Sequence, residues 1–254
     1  MILLFTDFGW RGPYVGQLHL VLAQESPGVP VIDLLHDAPS FTPRAAGHLL
    51  AALAENIPEG ALLVAVVDPG VGSERRALLL EAGGVRYIGP DNGLLAPLAA
   101  RYPESRAHVI EWRPQRLSRS FHGRDFFAPV AARLALGAVV MTAPLALDEI
   151  VGSANSTMLA EVIYIDGYGN AWTGLPVSSL PPDPTITVGA TALPRAQTFS
   201  DVERGQAFWY ENSAGLVEVA VNQDSAAARL GLQLGDPVAV QSSCDGIVPR
   251  PDRL

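Results

Sequence analysis

The sequence predicts an α/β protein. Residues 1–150 read as a mostly parallel, Rossmann-like sheet with helices on both faces, and residues 151–254 as a smaller, all-β, barrel-like domain. Three observations carry this. Apolar, β-branched runs alternate with stretches of helical spacing through the first 150 residues, which is the pattern of a helix-covered parallel sheet. Two of those runs, Ile2–Phe5 and Ala61–Val67, end directly in the Gly/Asp-rich turns Thr6-Asp7-Phe8-Gly9 and Asp68-Pro69-Gly70-Val71-Gly72. Beyond residue 150 short strands follow one another with turn residues between them, as in a small barrel or sandwich.

Each element has a local cause. Ile2–Phe5 is a run fit for burial on both faces of a sheet. Tyr14–Gln24 has helical spacing through Leu18, Val21 and Leu22 and opens beside Pro13, a residue suited to a first turn. Val31–Leu34 is a short strand. Thr42-Pro43 starts a helix whose Ala46, Leu49, Leu50 and Leu53 share a face. Ala61–Val67 is a strand, and Ala77–Glu81 and Val85–Ile88 flank Gly83-Gly84 as a hairpin. Leu94–Arg101, Ala107–Glu111 and Phe126–Leu136 read as helix, strand and helix. Ala143–Asn155 reads as the connection, although its leucines would also suit a strand. Strands are expected at Ala160–Ile165, Thr185–Val188, Ala207–Tyr210, Leu216–Ala220 and Asp236–Gln241, with one helix around Ser225–Leu230.

Composition removes several classes of function. A net charge of −9 disfavours a nucleic-acid or anionic-membrane surface. No apolar run approaches the roughly 20 residues of a membrane span, and the N-terminus lacks a basic leader. A cytoplasmic protein is expected. The single cysteine, Cys244, excludes an intramolecular disulfide and a Cys-rich zinc site. All 17 basic residues are arginine. Without lysine there is no Schiff base, no Walker-A lysine and no lysine general base.

Candidate chemistry gathers at the turns. Asp7, directly after a strand, is placed to accept hydrogen bonds from a vicinal diol or to cap its own turn. Asp68 ends an apolar strand before Pro-Gly-Val-Gly, where glycines let the backbone approach a ligand; Asp-Pro-Gly also suits a plain turn. Arg75 or Arg76 is near enough in sequence to reach back to Asp68. His122 sits in Phe-His-Gly-Arg-Asp before a helix, and Gly89-Pro90-Asp91-Asn92-Gly93 most simply forms a turn. In Asp166-Gly167-Tyr168-Gly169-Asn170-Ala171-Trp172, aromatic rings flank an amide. That array would stack on a flat base and read its edge, or would form a hairpin with a buried tryptophan.

Taken in series, Thr6–Gly9, Asp68–Gly72, Gly89–Gly93, Phe121–Asp125 and Asp166–Trp172 resemble the family of S-adenosyl-L-methionine hydrolases, or hydroxide adenosyltransferases, to which the fluorinases and chlorinases are related. The resemblance implies hydrolysis of S-adenosyl-L-methionine to adenosine and L-methionine by back-side attack of water on the ribose 5′-carbon, with no cofactor and no metal. It implies a catalytic triad of Asp68, Arg75 and His122. It assigns Asp7 to the ribose diol, Phe41 to the region of the reacting carbon and Asp166 to the methionine ammonium. It assigns Tyr168, Asn170, Trp172 and Phe199 to adenine and Ser213 to the methionine carboxylate. It also implies a homotrimer whose sites lie between the N-terminal domain of one subunit and the C-terminal domain of the next. The halogenases of the family carry tyrosine in place of Asp68, lack the His122 side chain and have arginine in place of Ala214, so the hydrolase branch is expected. The alternatives are a binding protein for S-adenosylmethionine or nucleosides without turnover, a halogenase, and a magnesium phosphohydrolase built on Asp7, Asp68, Asp91 and Asp125.

Overall fold

The computed structural model describes residues 1–154 and 157–242; Cys244 lies outside them. The chain divides into two compact units, Met1–Thr157 and Met158–Leu254. No helix among the described residues is long and apolar enough to cross a membrane.

The first unit is built on seven strands: β1 (Ile2–Thr6), β2 (Val31–Leu35), β3 (Leu62–Val66), β4 (Ala77–Ala82), β5 (Val85–Pro90), β6 (Arg106–Ile110) and β7 (Thr142–Leu145). They pair in the order β2-β1-β3-β5-β4-β6-β7. The β2-β1-β3-β5 portion is parallel, and the β4, β6 and β7 pairings are antiparallel. Its helices are α1 (Tyr14–Glu25), α2 (Pro43–Leu53), α3 (Ala96–Arg101) and α4 (Ala128–Ala135). Ile2, Leu4, Leu62, Val64 and Val66 pack in one cluster with Leu18 and Leu22 of α1 and Val130 and Ala131 of α4. Their alternates Leu3, Phe5, Leu63 and Ala65 point the other way, as strand geometry requires, and are equally buried. The sheet is therefore covered on both faces. That explains why β1 and β3 read as unbroken apolar runs.

Two differences from the sequence reading have physical causes. The segment after residue 141 adds β7, because Thr142–Leu145 extends the sheet edge beside β6. The helix expected from Phe126 begins as a wider π-type turn over Gly123–Phe127 and tightens only at α4. Gly123 is pressed so closely to the Phe8 ring that a Cβ there would lie 3.0 Å from it.

The second unit is antiparallel throughout its ladders. One sheet pairs β10 (Pro184–Val188) with β11 (Thr191–Leu193) and β14 (Val238–Ser242). The other orders β12 (Ala207–Glu211), β13 (Leu216–Val221), β9 (Ala171–Pro176) and β8 (Leu159–Ile165). Single bridges, Glu161 to Pro237 and Arg195 to Trp209, link the two sheets, and no continuous ladder closes a barrel among the described residues. Both sheets supply one core, including Val162, Ile186, Trp209, Val219 and Val238. The short helix α5 (Ala226–Leu230) is capped by the Ser225 side chain, which accepts from Ala228 N–H, and ends at Gly231 in the left-handed region.

Candidate functional site

The strand order reverses around β1. From β1 the chain crosses to β2 on one side, then returns to β3 on the other. Ligands in open α/β sheets bind beyond the carboxyl ends of strands at such a reversal. Thr6 of β1 pairs with Val66 of β3. Asp7 and Asp68 follow these two strands at that point. They line one cleft of about 90 Å³ together with Phe41, His122, Val71 and Phe121. At about 30 Å³ per liquid water, it holds a few water molecules.

Arg75 organises this cleft. Its Nε donates to Asp68 Oδ1 at 2.7 Å and Oδ2 at 2.8 Å, and its Nη2 donates to Oδ2 as well. Nη2 also reaches His122 Nδ1 at 3.2 Å. A guanidinium can only donate, so Nδ1 accepts and the imidazole is neutral with its proton on Nε2. Burial, followed by the charge of Arg75, holds His122 below its ordinary value, in agreement with that tautomer. Arg76 turns elsewhere. It donates to Asp91 Oδ2 at 2.6 Å and to the Glu149 carbonyl at 2.5 Å, and Asp91 Oδ1 accepts from Val151 N–H. The Arg76–Asp91 pair thus anchors the segment after β7.

Asp7 is pushed up from its ordinary value, first by burial and also by the charge of Asp68, against hydrogen bonds from its own backbone and that of Phe41. Phe41 itself has φ 61° and is 80% exposed. A bulky residue in the left-handed region is strained, and here the turn aims its N–H at Asp7. Behind the β1 turn runs a hydrogen-bonded chain, buried at Thr6 and His36 and half-buried at Asp33 and His19. Thr6 Oγ1 accepts from Phe8 N–H and meets His36 Nδ1 at 2.7 Å. His36 Nε2 and His19 Nε2 both reach Asp33 Oδ1, at 2.9 and 2.8 Å. Asp33 Oδ1 can only accept, so His36 donates from Nε2 while its Nδ1 is hydrogen-bonded to the Thr6 hydroxyl. This chain fixes the backbone that carries Asp7, and the sequence reading missed it.

The remaining expected residues meet in the second unit. Asp166, Tyr168, Asn170, Trp172, Phe199 and Ser213 line one cavity of about 880 Å³, a volume in the range of small-molecule sites. Asp166 Oδ1 accepts the backbone N–H groups of Tyr168 and Asn170, both at 2.9 Å. This folds the β8–β9 loop over its own carboxylate. Gly169 has φ 84°, and a Cβ on it would lie 2.1 Å from Ser225 Oγ, so only glycine fits between loop and helix α5. Tyr168 is 84% exposed, and the Phe199 ring stands edge-on to Tyr210 at 5.5 Å. Gln223, in the same cavity wall, is another non-glycine residue with positive φ, 58°. Tyr210, Asn212 and Glu218 also line the cavity and were not singled out from the sequence. A glutamate inside the apolar run Leu216–Val221 was the available signal.

The four aspartates of the phosphohydrolase reading do not converge. Asp91 is held by Arg76 and Asp125 by Arg124. Among the described residues no group of three or more His, Cys, Asp or Glu side chains is arranged to hold a metal ion.

An α/β sheet with paired carboxylates, an arginine and a neutral histidine at its switch point places the protein in the class of open α/β proteins that bind a ligand in that crevice. The comparisons narrow that class. Residues 2–143 match the SAM hydroxide adenosyltransferase N-terminal domain and residues 160–239 the corresponding C-terminal domain. The chain belongs to the SAM hydroxide adenosyltransferase family. It is 39% identical to an (R)-S-adenosyl-L-methionine hydrolase of Thermus thermophilus, over 93% of this chain and 98% of that one. It is 40% identical to a protein of the same name from Salinispora arenicola, over 92% and 95%. A fluorinase from an Actinoplanes species is 26% identical over 94% and 97%. Among solved structures, an uncharacterized conserved protein from Thermotoga maritima superposes with a TM-score of 0.79 at 30% identity, covering 94% of this chain and 99% of that one.

Proposed function

We propose that this chain is a cytoplasmic enzyme that hydrolyses S-adenosyl-L-methionine to adenosine and L-methionine. The observation that carries the reading is the Asp68–Arg75–His122 constellation in a water-sized cleft beside Asp7. Family membership and the hydrolase names of relatives near 40% identity support it.

The chemistry asks little of the protein beyond placement. A sulfonium is a good leaving group, so no acid need assist its departure. Water attacks the ribose 5′-carbon from the side opposite sulfur; the O–C5′ bond forms as the C5′–S bond breaks. The sulfur keeps the bonding pair as a neutral thioether, and one proton from water is released. Asp68, oriented by its hydrogen bonds from Arg75, accepts a hydrogen bond from the water and draws off its proton as the new bond forms. His122 offers its Nε2–H to the same oxygen. Asp7 holds the ribose diol. In the second cavity Asp166 receives the ammonium group, Tyr168, Asn170, Trp172 and Phe199 the adenine, and Ser213 the carboxylate. A carboxylate at position 68 repels halide, which disfavours halogenation.

No cofactor or metal takes part in this scheme. Chromatography of protein incubated with S-adenosyl-L-methionine, chelator and chloride tests it. Adenosine and methionine are expected despite the chelator. Chlorinated adenosine would favour the halogenase reading. Binding without any product would favour a sensor.

The two sets of residues belong, in this proposal, to neighbouring copies in a homotrimer. Mixing Asp68→Asn with Asp166→Ala subunits, each inactive alone, then rebuilds some sites with neither lesion. Recovered activity after unfolding and co-refolding supports shared sites, and none opposes them.

A further inference from the structure

The cavity of the second unit contains a carboxylate for which the proposed reaction has no task. Glu218 sits within β13 at 2% exposure and lines the cavity. Tyr210 Oη donates to its Oε1 at 2.6 Å, and Asn212 Nδ2 donates to its Oε2 at 3.0 Å. The amide of Asn212 has one possible orientation. Its Oδ1 accepts the N–H groups of Ala214 and Leu216, each at 3.0 Å. Nδ2 therefore must face Glu218, and Oε2 must accept. The Asn170 amide donates instead to Asp166 Oδ2 at 3.3 Å.

Glu218 thus joins two residues of the cavity wall, one from β12 and one from the β12–β13 turn. Both partners are neutral, and among the described residues no arginine or histidine lines the cavity. A buried carboxylate without a counter-ion is costly. Burial, with the charge of Asp166 adding to it, pushes Glu218 up. A ligand that brings positive charge relieves both costs.

We propose that Glu218 is a positioning residue for the amino-acid end of the substrate: it fixes Tyr210 and Asn212 in the cavity wall, and its charge makes the cavity prefer ligands that carry an ammonium group. The inference rests on the S-adenosylmethionine reading and adds a determinant of specificity to it.

Two thioether probes isolate the effect. S-Adenosyl-L-homocysteine carries the amino-acid group, and 5′-methylthioadenosine lacks it; neither is a sulfonium. Calorimetry on the full-length wild type and Glu218→Gln reads both affinities. Loss of one charge-assisted contact predicts that the variant binds S-adenosyl-L-homocysteine about tenfold more weakly, with 5′-methylthioadenosine changed by less than about twofold. Glu218→Asp should recover part of the loss. Equal weakening for both probes would reduce Glu218 to a packing role, and an unchanged first affinity would remove any role.

Should the glutamine variant fail to fold, the wild type answers through pH. The charged or titratable groups sharing the cavity with Glu218 are Asp166, Asp224 and Tyr210; burial pushes the tyrosine hydroxyl up, so it stays neutral. Burial places the protonation of Glu218 above the ordinary carboxylate range; as it takes a proton on acidification the ratio of the two affinities should fall, and a flat ratio overturns the proposal. Wild type that binds neither probe refutes the S-adenosylmethionine reading as well. Wild type that binds both, with no change in the variant, refutes the role of Glu218 alone.

Discussion

Replacing Arg75 by methionine tests the cleft most directly. The side chains of Arg75 and Asp68 are 9% and 4% exposed, so this is a buried ion pair. Methionine keeps much of the aliphatic stem but removes the guanidinium, which stands 5.5 Å over the Phe127 ring, and so strips the carboxylate of its partner. Removing one member of such a pair costs about 3–5 kcal/mol. For a unit of this size, 1 kcal/mol corresponds to roughly 2–4 °C of melting temperature. The first unit should therefore melt about 6–20 °C lower at neutral pH by scanning calorimetry. Under the proposed mechanism adenosine release should fall by at least about 10³-fold, since Arg75 holds both Asp68 and His122 in place. Adding Asp68→Asn should restore most of the stability, because the unpaired charge is gone, and none of the activity. An unchanged melting temperature in the single variant, or a double variant less stable than the single, would refute the argument that the pair is buried and coupled.

Three further outcomes follow from the geometry. Burial pushes the Asp7 carboxyl up, so it loses its charge above the ordinary carboxylate range; in the proposed scheme the KM for S-adenosylmethionine should rise on the acid side, and Asp7→Asn should remove the Asp7 part of that rise in a pH-rate profile while leaving the part that comes from Glu218. Burial opposes ionisation of Asp33, but hydrogen bonds from His36 and then His19 prevail and hold its carboxyl below the usual range. Its stabilising contribution is present above the unfolded carboxylate value near pH 4 and disappears as pH falls through the folded one; Asp33→Asn should cost about 1–3 kcal/mol at pH 7, read by urea titration. Gly169→Ala forces a Cβ to 2.1 Å from Ser225 Oγ at φ 84°. It should weaken S-adenosyl-L-homocysteine by tilting the β8–β9 loop while the melting temperature of the first unit is unchanged.

The turns after β1 and β3 were legible because an apolar run that stops at an aspartate has few meanings in a parallel sheet. Asp68 and Arg75 were legible as a pair only up to a choice between two arginines. Neighbouring residues near a strand point to opposite sides, and which side holds Asp68 is a matter of the fold. β7 was obscured because Thr142 and Pro144 dilute its apolar signal. Glu218 was obscured for the opposite reason: five apolar neighbours made the strand plain and the one polar residue easy to pass over. The chain from Thr6 through His36 to Asp33 and His19 joins residues on β1, after β2, on β2 and on α1. No local pattern signals it, because it exists only once β1 and β2 lie side by side.

Phe41 keeps a record of what has been selected. Its backbone is strained and its ring is bare. A laboratory lineage chosen only for survival at high temperature would exchange it for glycine or asparagine, which occupy that conformation with less strain. A lineage chosen for turnover would keep the ring. The residue found at position 41 in evolving populations therefore reports whether heat or catalysis set the terms of the contest.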